Sequence, residues 1–481
     1  MNQERDALVP MGVSGLDDVL RGGLSSRGLY FVGGAPGTGK TTLGLQFLLE
    51  GQRRGERTLF VTMSQDRSDL ERIAASHGFD LNGIAIEEIS AVNLAPGLGD
   101  RQTVIDTSDA ELSQAGHKLE TLLSNSGAER VVIDSLFEMR LLAHDPLSYR
   151  RELLLLRDTV ARLGATALAL DYSDETLGDR QLEGIVNGTI FLELENPAYG
   201  ATMRQVHVGK MRGQVFTEGN HSLTIRTGGL SVFPRVIPRD AEDILSDEEI
   251  LCGIDGIDEM LGGGLLLGTT CLIAGHAGTG KSTLCTAYTN AAAQDDRVAA
   301  MFLFEERPAI FRRRSEDLGF QLEQQQADGK LILRHFEPAE MSPGEFIQTV
   351  VDTVEEKGAE IVVIDSLSGF LGAHPNGADL IAQLHTLLTY LSRRNVLTIL
   401  TVTQHGPLKG DTHNDLDISY FADVALLLRN DEAGDDLRRT VTCLKKRQGD
   451  HEKRVRELII GDRSVDVVPS RKASRPYLAV V

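Results

Sequence analysis

Short, near-continuous apolar runs alternate along the chain with longer segments whose apolar positions fit a helical period. In the first half the runs are Leu29 to Val32, Thr58 to Thr62, Val131 to Ile133 and Thr166 to Leu170. In the second they are Thr270 to Ala274, Val298 to Phe304, Ile361 to Ile364 and Leu397 to Thr403. Runs rich in β-branched residues, separated by helix-length segments, predict an α/β fold. Because the runs lack polar alternation, they predict mostly parallel sheets covered by helices on both faces.

The pattern occurs twice. Gly12 to Leu24 (GVSGLDDVLRGGL) leads to GGAPGTGKTT, and Gly253 to Leu265 (GIDGIDEMLGGGL) leads to AGHAGTGKST, 241 residues later. GAERVVIDSL (Gly127 to Leu136) and GAEIVVIDSL (Gly358 to Leu367) follow at a spacing of 231. A duplication with about ten extra residues in the first copy accounts for both spacings. The predicted organisation is an N-terminal domain over 1–234, an acidic linker over 235–250, a C-terminal domain over 251–463 and an irregular tail over 464–481. Asp240, Glu242, Asp243, Asp247, Glu248 and Glu249 make the linker read as solvated. Pro469 and Pro476, with no helical period around them, make the tail read as irregular.

Composition narrows the function classes. The 481 residues are 41% hydrophobic and 25% charged, a globular balance with ample material for sizeable cores. Lys and Arg total 49 against 70 Asp and Glu, and the formal charge of −21 disfavours nucleic acid as a partner. Cys252, Cys271, Cys285 and Cys443 form no C-x-x-C pair, which fits free thiols in a reducing cytoplasm. The opening MNQERDALVP has no apolar core, and no later stretch reaches about 18 uninterrupted apolar residues, so neither secretion nor a membrane span is expected.

Chemistry concentrates where the repeats agree. GAPGTGKT (Gly34 to Thr41) and GHAGTGKS (Gly275 to Ser282) match G-x-x-x-x-G-K-[ST] between a buried strand and a helix. Glycines let successive backbone N–H groups turn around phosphate oxygens, and the helix N-terminus adds partial positive charge. The expected nucleotide contacts are Gly34, Gly37, Thr38, Gly39, Lys40, Thr41 and Thr42, then Gly275, Gly278, Thr279, Gly280, Lys281, Ser282 and Thr283. The lysines reach the terminal phosphates, and Thr41 and Ser282 supply hydroxyls for Mg²⁺. Asp134 and Asp365 each end a VVID run at the edge of a buried strand, where a Mg²⁺-binding carboxylate belongs.

The halves then diverge. Phe304-Glu305-Glu306 ends the strand after the second P-loop helix, and a carboxylate there can activate the attacking water or hydroxyl, with Glu305 a further metal contact. The same spacing in the first half gives Met63-Ser64-Gln65, which offers no usable general base. Hydrolytic or kinase chemistry is therefore expected mainly in the second half, with tightly held, slowly hydrolysed nucleotide in the first.

Together these residues resemble the RecA-like P-loop NTPases, and within them the KaiC family of double-domain, clock-type ATPase/autokinases, over about Val9 to Asp462. The marks are the G-x-x-G-[LI]-D-x-x-L-x-G-G lead-in, the tandem P-loops, the Glu-Glu pair and a Lys-x-Arg strand near each domain end. The resemblance implies a hexamer with ATP and Mg²⁺ at subunit interfaces. It implies that Lys210 and Arg212, and then Lys445 and Arg447 with His451 and Lys453, contact nucleotide, the Lys-x-Arg pairs reaching a neighbour's ATP. It also implies serine/threonine autophosphorylation, with Ser419 as acceptor and Tyr420 in place of the family's threonine. The first domain would offer a surface to a KaiB-like protein. Leu318 stands where clock members carry tryptophan, and the tail lacks the longer regulatory helix, which argues against a KaiA-type activator. Two other readings stay open: a RecA- or helicase-like DNA motor, and an ATP-binding scaffold with little turnover. The motor would need Arg312-Arg313-Arg314 or Arg438-Arg439, which read as solvated faces.

Overall fold

The computed structural model describes residues 7–89, 107–172, 183–197, 200–238, 246–372, 374, 377–403, 418–433 and 436–470. The chain divides into two units, Met1–Arg235 and Val236–Val481. In the first, eleven strands follow one another among the described residues: β1 (Leu8–Val9), β2 (Leu24–Ser25), β3 (Leu29–Gly34), β4 (Thr58–Thr62), β5 (Ala85–Glu88), β6 (Arg130–Asp134), β7 (Thr166–Asp171), β8 (Gly188–Glu195), β9 (Met203–Met211), β10 (His221–Arg226) and β11 (Gly229–Phe233). Nine of them form one sheet in the order β11-β10-β9-β8-β3-β7-β6-β4-β5. Strands β8, β3, β7, β6, β4 and β5 run parallel, and β9 to β11 add an antiparallel wing.

The second unit repeats this plan with β12 (Glu249–Ile250), β13 (Leu265–Leu266), β14 (Thr270–Gly275), β15 (Ala299–Leu303), β16 (Leu331–His335), β17 (Ile361–Asp365), β18 (Leu397–Thr403), β19 (Val424–Ala433), β20 (Asp436–Lys446), β21 (Arg456–Gly461) and β22 (Ser464–Pro469). Its sheet order is β16-β15-β17-β18-β14-β19-β20-β21-β22. Both sheets bury both faces, as the unbroken apolar runs predict. Along β17, Ile361 and Val363 enter one core cluster while Val362 and Ile364 enter the other. The period of two thus sends alternate side chains to opposite helical layers. The P-loop strands β3 and β14 lie inside their sheets, so both P-loops emerge where parallel α/β sheets collect ligands, beyond the strand C-termini.

Local signals fix the helix starts. Asp145 precedes Pro146–Leu163 and accepts from the backbone of Leu147 at 2.6 Å and Ser148 at 3.1 Å; Ser342 caps Pro343–Lys357 through Glu345 at 3.2 Å. The lead-in motif also proves structural: Asp17 accepts from the N–H groups of Met11 and Gly12, and Asp258 does the same for Cys252 and Gly253.

Two expectations differ from the structure. The tail does not begin as irregular chain, because Ser464–Pro469 pairs antiparallel with β21 and completes the sheet. A Cβ on Gly256 would lie 1.9 Å from the Val467 carbonyl oxygen, so the helix Asp255–Leu261 packs on this strand backbone to backbone. Residues 471–481 lie outside the described residues. The acidic linker is likewise not all solvated spacer: Glu249–Ile250 pairs with β13, and Glu248 shares Arg297 with Glu360. Its residues 239–245 lie outside the described residues. All four cysteines are buried free thiols, and burial pushes the Cys252 and Cys271 thiols far above their usual range.

Candidate functional site

Each P-loop joins a buried strand to a helix that starts at its lysine, Lys40–Arg53 or Lys281–Gln294. Gly39 and Gly280 stand just before these helices with φ of 106° and 101°, a left-handed conformation that glycine adopts without Cβ strain. Thr38 and Thr279, both fully buried, close the loops by donating to Ala35 O at 2.9 Å and His276 O at 2.8 Å. The lysines arch over the same loops. Lys40 Nζ donates to Gly34 O (2.6 Å) and Ala35 O (3.0 Å), and Lys281 Nζ to Gly275 O (2.8 Å) and His276 O (3.0 Å). Burial lowers both lysine pKa values, opposed by Asp134 and Asp171 in the first half and by Asp365 and Glu305 in the second. A polyanion bound in the loop would complete the partners of each ammonium, half-buried at Lys40 and buried at Lys281.

The aspartates stand one strand pair away. Thr41 Oγ1 donates to Asp134 Oδ2 at 2.7 Å; Asp365 accepts from Ser282 and, at 2.5 Å, from Thr401 Oγ1. Both aspartates precede a cis peptide bond. Burial raises the pKa of each, opposed by the hydroxyl hydrogen bonds and the nearby lysine. A hydroxyl and a hard carboxylate oxygen meeting at a helix N-terminus fit Mg²⁺, which takes one or two protein oxygens and fills its shell from phosphate and water. Among the described residues, no group of three or more His, Cys, Asp or Glu forms a metal site.

This burial gives an expected result. Above the ordinary Asp pKa of 3.8, the unfolded chain has lost a proton that Asp365 retains when folded. Metal-free stability therefore falls as pH rises through the raised value. Asp365→Asn should raise the metal-free Tm at neutral pH, by about 2–4 °C for each kcal/mol recovered. The same change should remove the stabilisation given by Mg·ADP. Thermal melts with and without Mg·ADP check both effects, and a lowered metal-free Tm would reject the argument.

The strand ends beside these aspartates carry the divergent residues. Thr62 pairs with Asp134 and Leu303 with Asp365, and the next backbone N–H groups, of Met63 and Phe304, donate to the aspartate carbonyls. Ser64-Gln65 and Glu305-Glu306 therefore occupy equivalent corners. Glu305 accepts from Ser366 Oγ, and its charge acts on Lys281 and Asp365. Glu306 points elsewhere, into a bidentate pair with Arg314 at 2.8 and 3.2 Å.

The Lys-x-Arg strands lie away from their own P-loops. Lys210 pairs with Thr189, which pairs with Phe31 at the early part of β3, whereas Leu192 pairs with Gly34 at the P-loop end. In the second half, Lys445 pairs with Ala425 and thence with Leu272, while Leu428 meets Gly275. Three residues of strand, about 10 Å, separate these pairs from the P-loop edge. There the cations rest on carbonyls of their own chain. Lys210 contacts Glu183 O, Arg212 contacts Gly184 O at 2.6 Å, Lys445 contacts Ala422 O at 2.7 Å and Arg447 contacts Tyr420 O at 3.0 Å. His451 and the exposed Lys453 follow β20 in the connection to β21, and Glu452 between them donates to Met260 O. Ser419 lies in a 3-10 turn, Ile418–Phe421, beside the exposed Tyr420; Asp417 lies outside the described residues.

Sequence reasoning missed Arg204 and Asp171, did not connect Arg439 to the P-loop, and misplaced Arg314. Arg204 and Arg439 each donate to a P-loop carbonyl, Gly37 O at 3.4 Å and Gly278 O at 3.1 Å. Each stands six residues before the lysine of its Lys-x-Arg motif, a repeat-aligned signal that was present in the sequence. Of the arginines expected on solvated faces, Arg313 and Arg439 are exposed, Arg438 pairs with Glu457, and Arg314 is instead half-buried against Glu306 and Thr283 beside the second P-loop. Asp171 was also missed. It is fully buried beside Gly33, where the second half has Val402.

Known proteins share this organisation. The family model described as "ATPase: KaiC" matches residues 9–237 and 250–472, one match per repeat. The circadian clock oscillator protein KaiC of Prochlorococcus marinus (strain MIT 9313) is 27% identical over 470 residues, covering 96% of this chain and 93% of the relative. KaiC of Synechococcus elongatus is 26% identical over 478 residues (98% and 91%), and the circadian clock protein KaiC3 of Synechocystis sp. is 26% identical over 476 (97% and 93%). With both repeats matched and the P-loop, aspartate and strand order reproduced in each, the chain belongs to the KaiC family of ATPases.

Proposed function

We propose that the protein is a ring-forming ATPase whose second half turns over Mg·ATP and phosphorylates its own Ser419, making it a signalling hub set by nucleotide and phosphorylation state. The observation that carries this reading is the asymmetry of two otherwise matching sites. Lys281, Ser282, Asp365 and Glu305 share one sheet edge in the second half, whereas the first half has Ser64 and Gln65 at the glutamate positions. Thr41 with Asp134, and Ser282 with Asp365, would hold Mg²⁺, which when bound neutralises charge on the phosphates.

Glu305 takes the proton from the attacking water or Ser419 hydroxyl, and that oxygen bonds to the γ-phosphorus. The bond to the bridging oxygen breaks, its electrons leaving on ADP. Lys445 and Arg447, remote from their own P-loop, serve the site of the next subunit in a head-to-tail hexamer. Nucleotide held in the first half mainly assembles that ring, and a KaiB-like protein is the expected partner of the first domain. A DNA motor is disfavoured because Arg314 and Arg439 are engaged beside the second P-loop.

A time course with Mg·γ-³²P-ATP tests the proposal, reading free phosphate and protein-bound label together. Label that rises and falls in the wild type and is absent from Ser419→Ala is the expected result. Phosphate release with no label at any time would reduce the protein to a plain ring ATPase, and release stimulated by single-stranded DNA would revive the motor.

A further inference from the structure

Arg314 makes three contacts that belong to no part of the mechanism above. Its Nε and Nη2 hold both carboxylate oxygens of Glu306, and its Nη1 donates to Thr283 Oγ1 at 3.1 Å. The helix Pro308–Asp317 carries it, with the guanidinium lying over the buried Phe311 ring, 5.4 Å from the centroid. Thr283 is the third residue of the P-loop helix, and its side chain is buried. One guanidinium is therefore shared between a glutamate of the strand-end pair and a hydroxyl in the first turn of the phosphate-binding helix.

The first half has no such bridge. At the repeat-equivalent positions Ile73 replaces Arg314 and Gln65 replaces Glu306, and Thr42 Oγ1 instead faces His77 Nε2 at 3.3 Å. Among the described residues, an arginine reaches the hydroxyl of the third residue of the P-loop helix in the second half, together with its own counterion, and a histidine stands there in the first.

We propose that Arg314 is a phosphate-reading positioning residue. It clamps Glu306 when no phosphate lies at the start of the helix, and transfers its fork to a phosphate oxygen when nucleotide arrives, freeing Glu306. This rests on the reading of the second P-loop as a nucleotide site. Guanidinium forks match phosphate and carboxylate geometry alike, and a di- or triphosphate carries more charge than one carboxylate and sits in the field of the helix N-terminus. The exchange makes Glu306 and nucleotide competitors for one cation. Removing the glutamate charge should therefore tighten nucleotide binding, but only through Arg314.

The test is a double-mutant cycle on the full chain, with Mg·ADP binding followed by calorimetry so that turnover does not intrude. Arg314→Gln is expected to weaken the second site about tenfold, the loss of roughly one charged hydrogen bond. Arg314→Lys should recover part of this, and Glu306→Gln should tighten the site severalfold. In the double variant the gain from Glu306→Gln should vanish. A gain that persists there would come from relieved repulsion alone and would overturn the proposal, as would unchanged affinity in Arg314→Gln. The first site of the same chain is the internal reference, with its affinity expected to stay fixed. Absence of ADP binding at the wild-type second site would instead overturn the reading of the site itself.

Discussion

Glu305→Gln is expected to lower phosphate release from the second site by about 10²–10⁴, the usual worth of a positioned general base, while nucleotide binding is retained. Either member of the Glu-Glu pair is chemically able to take the proton, but their surroundings separate them. Glu305 accepts from Ser366 and acts electrostatically on Lys281 and Asp365, so it stands beside the P-loop lysine and the candidate Mg²⁺ carboxylate. Glu306 is held in both oxygens by Arg314, on the side of Thr283. Glu306→Gln should accordingly cost less turnover than Glu305→Gln. Single-turnover hydrolysis by the two variants, with binding measured alongside, decides the point. If Glu306→Gln were the inactive one, the assignment would be reversed. Slow release remaining in Glu305→Gln would come from the first site, where Ser64 and Gln65 replace the pair.

The second large effect concerns Arg447. Removing a cation that stabilises the phosphoryl-transfer transition state costs about 10³ or more in rate, so Arg447→Ala should be nearly inactive. So should Lys281→Ala, which lacks the lysine in the P-loop itself. In one chain the two residues belong to opposite ends of the sheet. In a head-to-tail ring each active interface takes its lysine from one subunit and its arginine from the next. An equal mixture of the two inactive variants should then regain activity at about a quarter of its interfaces, those with the intact lysine on one side and the intact arginine on the other. Recovery after co-assembly with Mg·ATP is the measurement. A mixture as inactive as its components would place the arginine's action within its own chain and remove the structural reason for a ring.

How much of this was legible beforehand follows from how local each feature is. The P-loops are contiguous motifs whose shape depends on glycines at positive φ and on a helix that starts at the lysine, so GAPGTGKT and GHAGTGKS were enough to locate them. The buried strands and their terminal aspartates were equally readable, because a parallel sheet covered on both faces requires unbroken apolar runs. Comparing the repeats exposed the difference between Ser64-Gln65 and Glu305-Glu306 with no structure at all.

Tertiary structure decided what depends on register and on partners distant in sequence. Arg314 looked like a solvated charge because composition does not tell which carboxylate the folded chain brings within 3 Å of it. The tail after Asp462 looked irregular because a six-residue run ending in proline carries a weak signal alone; pairing with β21 and the open backbone at Gly256 make it a strand. The far-edge position of Lys445 and Arg447 emerged only from the pairing of β20 with β19 and of β19 with β14. Two P-loop folds and the different residues at their strand-end corners could be read from the chain alone, since both rest on short-range geometry. The packed sheets alone decided which charges face each phosphate site, because that choice is made by strand register across hundreds of residues of chain.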